Sequence, residues 1–169
     1  MDILLWMIFA FLIFQRLGEL ALADRNRKWM LERGAIESGQ GHYFLFVLLH
    51  TLFFLCLMGE FLWTTYVFTA FFYLAFSAFI ILQALRVWCI RSLGKRWNTR
   101  ILVLPDEAPI RKGIYRYIKH PNYVIVFFEL LIIPLLFHAY MTAVVFPFFH
   151  LLILAVRIPA EEQALEKRV

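Results

Sequence analysis

Apolar and polar positions alternate along this chain in long blocks. Five stretches, residues 4–23, 44–63, 67–90, 123–138 and 141–156, consist mostly of Leu, Ile, Val, Phe and Ala. A helix of roughly 20 apolar residues crosses about 30 Å of hydrocarbon, and shorter ones suffice where other helices line their edges. The pattern therefore predicts an all-α, polytopic integral membrane bundle of about five transmembrane helices, the last two forming a hairpin. One polar cluster, Tyr115-Arg-Tyr-Ile-Lys-His120-Pro-Asn-Tyr123, precedes that hairpin, and another, Arg157-Ile-Pro-Ala-Glu161-Glu162, follows it. A hairpin returns to the surface it left, so both clusters are expected at one membrane face, where a polar cofactor and a greasy substrate can share a pocket.

Composition agrees with a lipid solvent. Hydrophobic residues make up 63% of the 169, charged residues 17%, and mean hydropathy is +0.74, which is far more apolar surface than one soluble core needs. With no internal repeat and no linker, a single domain over residues 1–169 is the simplest reading, with both polar clusters inside its part at about 91–169. All 17 Lys and Arg lie in residues 24–42, residues 91–119, the tail after 156, or, for Arg16 and Arg86, nearby helix turns. The positive-inside rule makes those segments cytoplasmic, with the amino terminus outside and the carboxyl terminus inside a cell membrane. The formal charge of +5 is then an orientation signal with some attraction for anionic lipid. Nucleic acid is not an expected partner, because no groove-reading or aromatic-basic motif accompanies the charge.

Several familiar chemistries lack support. The seven glycines form no dinucleotide fingerprint, P-loop or nucleophile elbow. Cys56 and Cys89 have neither CxxC spacing nor a nearby second ligand, so they read as small buried side chains, and no metal is expected. The first stretch follows no basic leader and carries no small-residue cleavage site, so it reads as a retained span. Residues 29–33 suit a short helix in the headgroup region. The basic segment 91–119, interrupted by Pro105 and Pro109, reads either as a lid over a site or as a solvated loop.

The two polar clusters carry the chemistry. Pro121 suits the first position of a helix, where its missing N–H has no intrahelical partner, with His120 just outside. Free N–H groups and the helix dipole there favour an anion. Pro159 either starts a new helix with Glu161 and Glu162 in its first turn, or lies within a continuing one, where Arg157 and Glu161 share a face four residues apart. Both geometries bring the guanidinium and carboxylate together. Taken singly, Tyr115, Tyr117 and Tyr123 are interfacial anchors and His120 is a cap.

Gly113-Ile-Tyr115, Lys119-His120-Pro121-Asn122-Tyr123, an apolar hairpin, and Arg157-Ile-Pro-Ala-Glu161-Glu162-x-x-Leu165 together resemble the isoprenylcysteine carboxyl methyltransferase family. The resemblance covers roughly residues 90–169, and the short chain looks like a bacterial-type member. It implies a membrane enzyme using S-adenosylmethionine, with Ile110, Tyr115, His120, Pro121, Asn122, Tyr123 and Glu161 at the cofactor and Arg157 facing an acidic group of the substrate. Arg157 and Glu161 are the catalytic candidates. Two positions depart from the family pattern: Lys119 stands where Arg is usual, and Asn122 where many eukaryotic members have Ser. Lysine keeps the charge but loses the planar two-pronged donor.

The expected reaction is O-methylation of a lipophilic acceptor that enters from the bilayer, either an isoprenylcysteine carboxylate or an alkylpyrone-like hydroxyl. Methyl transfer to a carboxylate with a reference pKa near 4 needs alignment and electrostatics, not a general base, which fits the lack of a nucleophile triad. Polar residues within the spans are secondary candidates. Arg16 and Glu19, three apart, are expected to pair. Glu129, about 12 Å into its helix, is expected to be protonated or paired, with Arg16, Arg86, His50 or Tyr73 as possible partners, and Glu129 or His50 is the candidate for the inner end of a substrate tunnel. Glu60, His138 and His150 read as structural. Two rival functions are phospholipid N-methylation, which the Arg157 cation disfavours, and a non-enzymatic transporter or scaffold with an ion path through Glu129, His50 and Arg16.

Overall fold

In the computed structural model, which describes residues 3–64, 69–105 and 107–166, four helices are long and apolar enough to cross a membrane and a fifth apolar helix is shorter. They are α1 (Ile3–Leu31), α2 (Gln40–Trp63), α3 (Ala70–Leu93), α4 (Pro121–Leu136) and α5 (Tyr140–Glu166). The architecture is the expected all-α polytopic bundle. At 1.5 Å per residue α1 is about 44 Å long, so its charged end at Asp24 to Lys28 extends beyond the apolar layer, whereas α4 reaches only about 24 Å. Each helix buries one stripe at three- and four-residue spacing: Leu49, Phe53, Leu57 and Phe61 in α2, and Phe72, Ala75, Phe79, Leu82, Arg86 and Cys89 in α3. The remaining large apolar side chains point outward, as a lipid solvent permits.

Aromatic packing fills the end of the core remote from the charged segments. Phe61 meets Trp6 and Phe137 edge-on at 5.0 and 5.2 Å, and Phe53 meets Phe146 at 5.5 Å. The tight turn between α4 and α5 explains the hairpin. Ala139 N–H donates to the Pro134 carbonyl and His138 N–H to that of Leu135, the paired bonds of a Schellman cap, with His138 at φ 50°. The amide groups that open α5 are held from another helix. Glu60 accepts from Met141 N–H (3.1 Å) and from Thr142 N–H (2.7 Å) and hydroxyl (2.5 Å). Glu60 and His138 thus have the structural roles expected of them. Glu60→Ala is expected to lower stability by about 1–2 kcal/mol, the effect of removing such a cap, and thermal unfolding in detergent measures it.

Several local expectations are corrected. Residues 29–31 continue α1 instead of forming a separate interfacial helix. The helix ends at Leu31, in a Schellman cap with Gly34 at φ 81°, Ala35 N–H bonding to Met30 and Gly34 N–H to Leu31. Pro159 does not open a new helix: α5 runs through both Pro147 and Pro159. Cys89 is buried as expected, but Cys56 is exposed on the outer face of α2. The start of the third predicted span, at 67, and the Lys167–Arg168 end of the tail lie outside the described residues.

The basic segment after α3 is neither a plain loop nor fully solvated. Its strand β2 (Ile101–Val103) pairs antiparallel with β1 (Ile36–Ser38), Glu37 opposite Leu102. Glu37 also links Arg27 (3.0 Å) and Arg100 (2.6 Å). Burial works against its charge, but the two arginine hydrogen bonds hold its carboxyl below the usual range, so the latch is intact at neutral pH and is lost only on acidification through that lowered pKa. Asn26 donates to the Trp97 carbonyl (2.8 Å) and Asn98 to that of Ala23 (2.9 Å). Residues 97–104 are thereby fastened to the charged end of α1, where they roof the bundle.

Candidate active site

Beneath that roof lies a cavity of about 600 Å³, within the range that holds a drug-sized ligand. All five helices contribute to its wall: Arg16 and Leu20 of α1; Tyr43, Phe46 and His50 of α2; Arg86 of α3; Asn122, Tyr123 and Val126 of α4; His150, Arg157 and Glu161 of α5. The segment from Leu93 to Arg111, including Trp97, Thr99, Arg100 and Ile110, closes one side.

Both polar clusters of the hairpin meet at one end of this cavity. Pro121 occupies the first turn of α4, as its chemistry suits, and its buried ring sets the helix start so that Asn122 and Tyr123 turn inward. Tyr123 then stacks between His120 (5.6 Å between centroids) and Phe46 (6.5 Å). Because α5 continues without a break, Arg157 and Glu161 present one face to α4, and Tyr123 links them. Its hydroxyl donates to Glu161 Oε2 at 2.5 Å and accepts from Arg157 Nε at 3.2 Å. Arg157 is 4% exposed; its Nη2 donates to the Thr99 carbonyl (2.9 Å) and its guanidinium lies 5.5 Å from the Phe46 ring centre. Roof, α4 and α5 thus converge on one guanidinium.

His120 Nδ1 lies 3.7 Å from Glu161 and Nε2 3.4 Å from Glu162, while the exposed Lys119 pairs with Glu162 at 2.5 Å. Lysine at position 119 therefore serves as a point charge on the rim, where two-pronged geometry is not demanded. Tyr115 reaches the cavity from a turn docked on α3. Gly113, at φ 58°, lies so close that a Cβ there would overlap the Ser92 hydroxyl, and this approach brings the Tyr115 hydroxyl to 3.2 Å from Cys89 Sγ. Burial and the adjacent Cys89 push the Tyr115 phenol pKa up, so it remains a neutral hydroxyl.

Of the sequence-predicted residues, Ile110, Tyr115, His120, Asn122, Tyr123, Arg157, Glu161 and His50 line the cavity. Pro121 supports the wall from behind. Glu129 borders a separate void of about 40 Å³ and is ion-paired to Arg86 at 2.6 Å, with Gln83 donating to it at 3.3 Å. Arg86 also binds Glu19 through Nε and Nη2, and Arg16 pairs with Glu19 at 3.3 Å. The partner of Glu129 is thus Arg86, and the expected Arg16–Glu19 pair belongs to a larger buried network. Tyr43, Phe46, Thr99, Arg100 and His150 line the cavity without having been singled out for it. The histidine had a readable signal: seven residues before Arg157, it lies on the same face of α5.

Several unpartnered polar atoms mark the walls. Asn122 Oδ1, Arg157 Nη1 and both ring nitrogens of His150 are buried without a hydrogen-bond partner, an arrangement that costs stability unless a ligand or water completes it. Among the described residues no group of three His, Cys, Asp or Glu side chains suits a metal ion.

Comparison with known proteins gives this arrangement a context. An uncharacterized protein of Bacillus subtilis (YpbQ) is 42% identical over 163 residues, 96% of each chain, and an uncharacterized protein of Haemophilus influenzae is 30% identical over 158 residues, 93% of this chain and 92% of the other. No solved structure matches. The model of the isoprenylcysteine carboxyl methyltransferase (ICMT) family matches residues 73–167, more than half of the chain and the whole of the helical hairpin with both polar clusters. The protein accordingly belongs to the isoprenylcysteine carboxyl methyltransferase family, and that membership implies a membrane methyltransferase.

Proposed function

We propose that the protein transfers a methyl group from S-adenosylmethionine to an acidic oxygen on a lipophilic acceptor drawn from the bilayer. The observation that carries this reading is the buried Arg157 guanidinium. It is fixed by Thr99 and Tyr123, retains a free Nη1, and opens into a cavity with polar groups at one end and Phe46, Val47, Phe54 and Val126 further in.

The residues present suit the cofactor. Its cationic and amine groups match Glu161 and the unpartnered Asn122 Oδ1; its ring and ribose match Ile110, Tyr115, His120 and Tyr123, which line the same end. When bound, it supplies an electrophilic methyl group on a sulfonium. The protein's own residues do the rest. Arg157 holds an anionic oxygen through Nη1, Tyr123 keeps Arg157 and Glu161 in register, and the roof at residues 97–104 excludes water. A carboxylate acceptor arrives already ionised, so no proton need be moved. By the positive-inside rule the cavity mouth faces the cytoplasm of a cell membrane.

A buried cation beside the acceptor disfavours N-methylation of an amine headgroup. Pairing of Glu129 with Arg86 likewise gives that carboxylate a structural partner instead of an ion path. The test is methyl transfer in membranes carrying the protein, with lipid extracts and isotope-labelled cofactor. Ester or ether methyl products are expected; labelled methylamines in their place would refute the reading. Glu161→Ala is expected to weaken binding of S-adenosylhomocysteine at least about tenfold, as loss of a charged hydrogen-bond partner does, measured by calorimetry in detergent.

A further inference from the structure

The inner end of the cavity has polar groups that the proposed reaction does not use. His150 of α5 is fully buried, faces the cavity and leaves both ring nitrogens without a partner. Its ring meets Phe46 edge-on at 6.2 Å, and one helical turn further along α2 lies His50. The His50 Nδ1 faces the Phe46 carbonyl at 2.8 Å, so that nitrogen carries the proton and Nε2 is left as an acceptor. Arg16, from α1, lines the same cavity and adds donors. Three helices therefore bring an acceptor, a donor-acceptor ring and a cation to a place where a plain hydrocarbon chain offers them nothing.

We propose that His150, His50 and Arg16 form a second polar subsite, which takes an oxygen function, best a hydroxyl, carried on the acceptor's chain away from the methylated oxygen. This inference rests on the acceptor-binding role of the cavity stated above. A hydroxyl both donates and accepts, which matches one free imidazole beside a second, proton-fixed one. Its position follows from helix geometry: His150 lies seven residues from Arg157 on one face of α5, about 10 Å along the axis. An acid held at Arg157 thus places about the ninth or tenth carbon of its chain, eight or nine bonds from the carboxyl carbon, beside His150. The subsite selects mid-chain oxygenated acceptors over saturated or purely isoprenoid ones, because an apolar chain leaves both buried nitrogens of His150 unsatisfied.

Three probes test this against the full-length protein in detergent, saturated with S-adenosylhomocysteine: octadecanoic acid, the same acid with a hydroxyl at the tenth carbon, and the same acid with its hydroxyl at the second carbon. Wild type is expected to bind the tenth-carbon hydroxy acid about tenfold more tightly than either of the others. His150→Phe, which keeps an aromatic ring but no hydrogen-bonding atom, should reduce that ratio to near one, and His150→Gln should keep most of it. Equal affinity of wild type for the three acids overturns the proposal, as does a preference that survives in His150→Phe. The wild-type comparison stands even where a variant does not fold. If S-adenosylhomocysteine fails to bind while the acids are still discriminated, the subsite is supported and the methyltransferase reading alone falls.

Discussion

Arg157→Ala is expected to lower acceptor kcat/KM by about a hundredfold or more while changing affinity for S-adenosylhomocysteine by no more than a few-fold. The asymmetry follows from the contacts. Arg157 reaches Thr99, Tyr123 and Phe46, and its free nitrogen opens into the cavity, whereas Glu161 and His120 lie on the rim that would hold the cofactor. Loss of a buried cation that binds an anion costs about 2–5 kcal/mol, and about 2.7 kcal/mol is a factor of a hundred. Arg157→Lys keeps the charge but cannot bond Thr99, Tyr123 and an acceptor oxygen in one plane, so it should recover only part of the loss. Steady-state kinetics paired with calorimetry would expose a shared collapse of both quantities, which would mean that Arg157 supports the fold and not the acceptor.

The second large effect belongs to Arg86. This side chain, 3% exposed, binds Glu19 of α1 and Glu129 of α4, while Gln15 donates to Gln83 (2.7 Å) and Gln83 to Glu129. Two arginines and two glutamates balance within the apolar layer. Such a network adds little net stability over apolar packing, because desolvation offsets attraction, yet removing one member strands the others. Arg86→Met leaves the two carboxylates with Arg16 as the one cation of the network, and a loss of about 3–5 kcal/mol is expected. A triple variant, Arg86→Met with Glu19→Gln and Glu129→Gln, should regain most of it. Thermal unfolding in detergent distinguishes the two cases, and a triple variant as unstable as the single one would contradict the charge-balance argument.

The helices were readable because a lipid solvent demands long apolar runs, and nothing in a soluble protein of this size imitates five of them. The ends were less readable. Pro121 opens α4 as its chemistry suits, but the apolar run, 123–138, overshoots the other end, where the turn at His138 closes the helix two residues earlier. The strand pair was invisible for a different reason. Three-residue strands containing Glu37 and Ser38 carry no alternating apolar signal, and their pairing joins segments more than sixty residues apart. That pairing builds the roof of the cavity.

Within the candidate site, the hairpin clusters were legible because each contributes chemistry at a fixed offset from a helix end. His150 was assigned a structural role because it falls near the outer half of its span; its register with Arg157, not its depth, places it on the cavity wall. Phe46 gives no signal at all in a helix rich in Phe, and only the fold reveals that it touches Tyr123, His150 and Arg157. Glu129 shows the reverse case. An acidic residue in a membrane helix suggests function, but Arg86 and Gln83 satisfy it.

In the proposed function, the cavity that receives the polar ends of α4 and α5 binds the methyl donor. Calorimetric titration of the purified protein with S-adenosylhomocysteine tests it most directly. Saturable binding at one site per chain is expected, weakened at least about tenfold by Glu161→Ala and by His120→Ala. Absence of binding to the folded wild-type protein, or equal affinity in both variants and wild type, would contradict it.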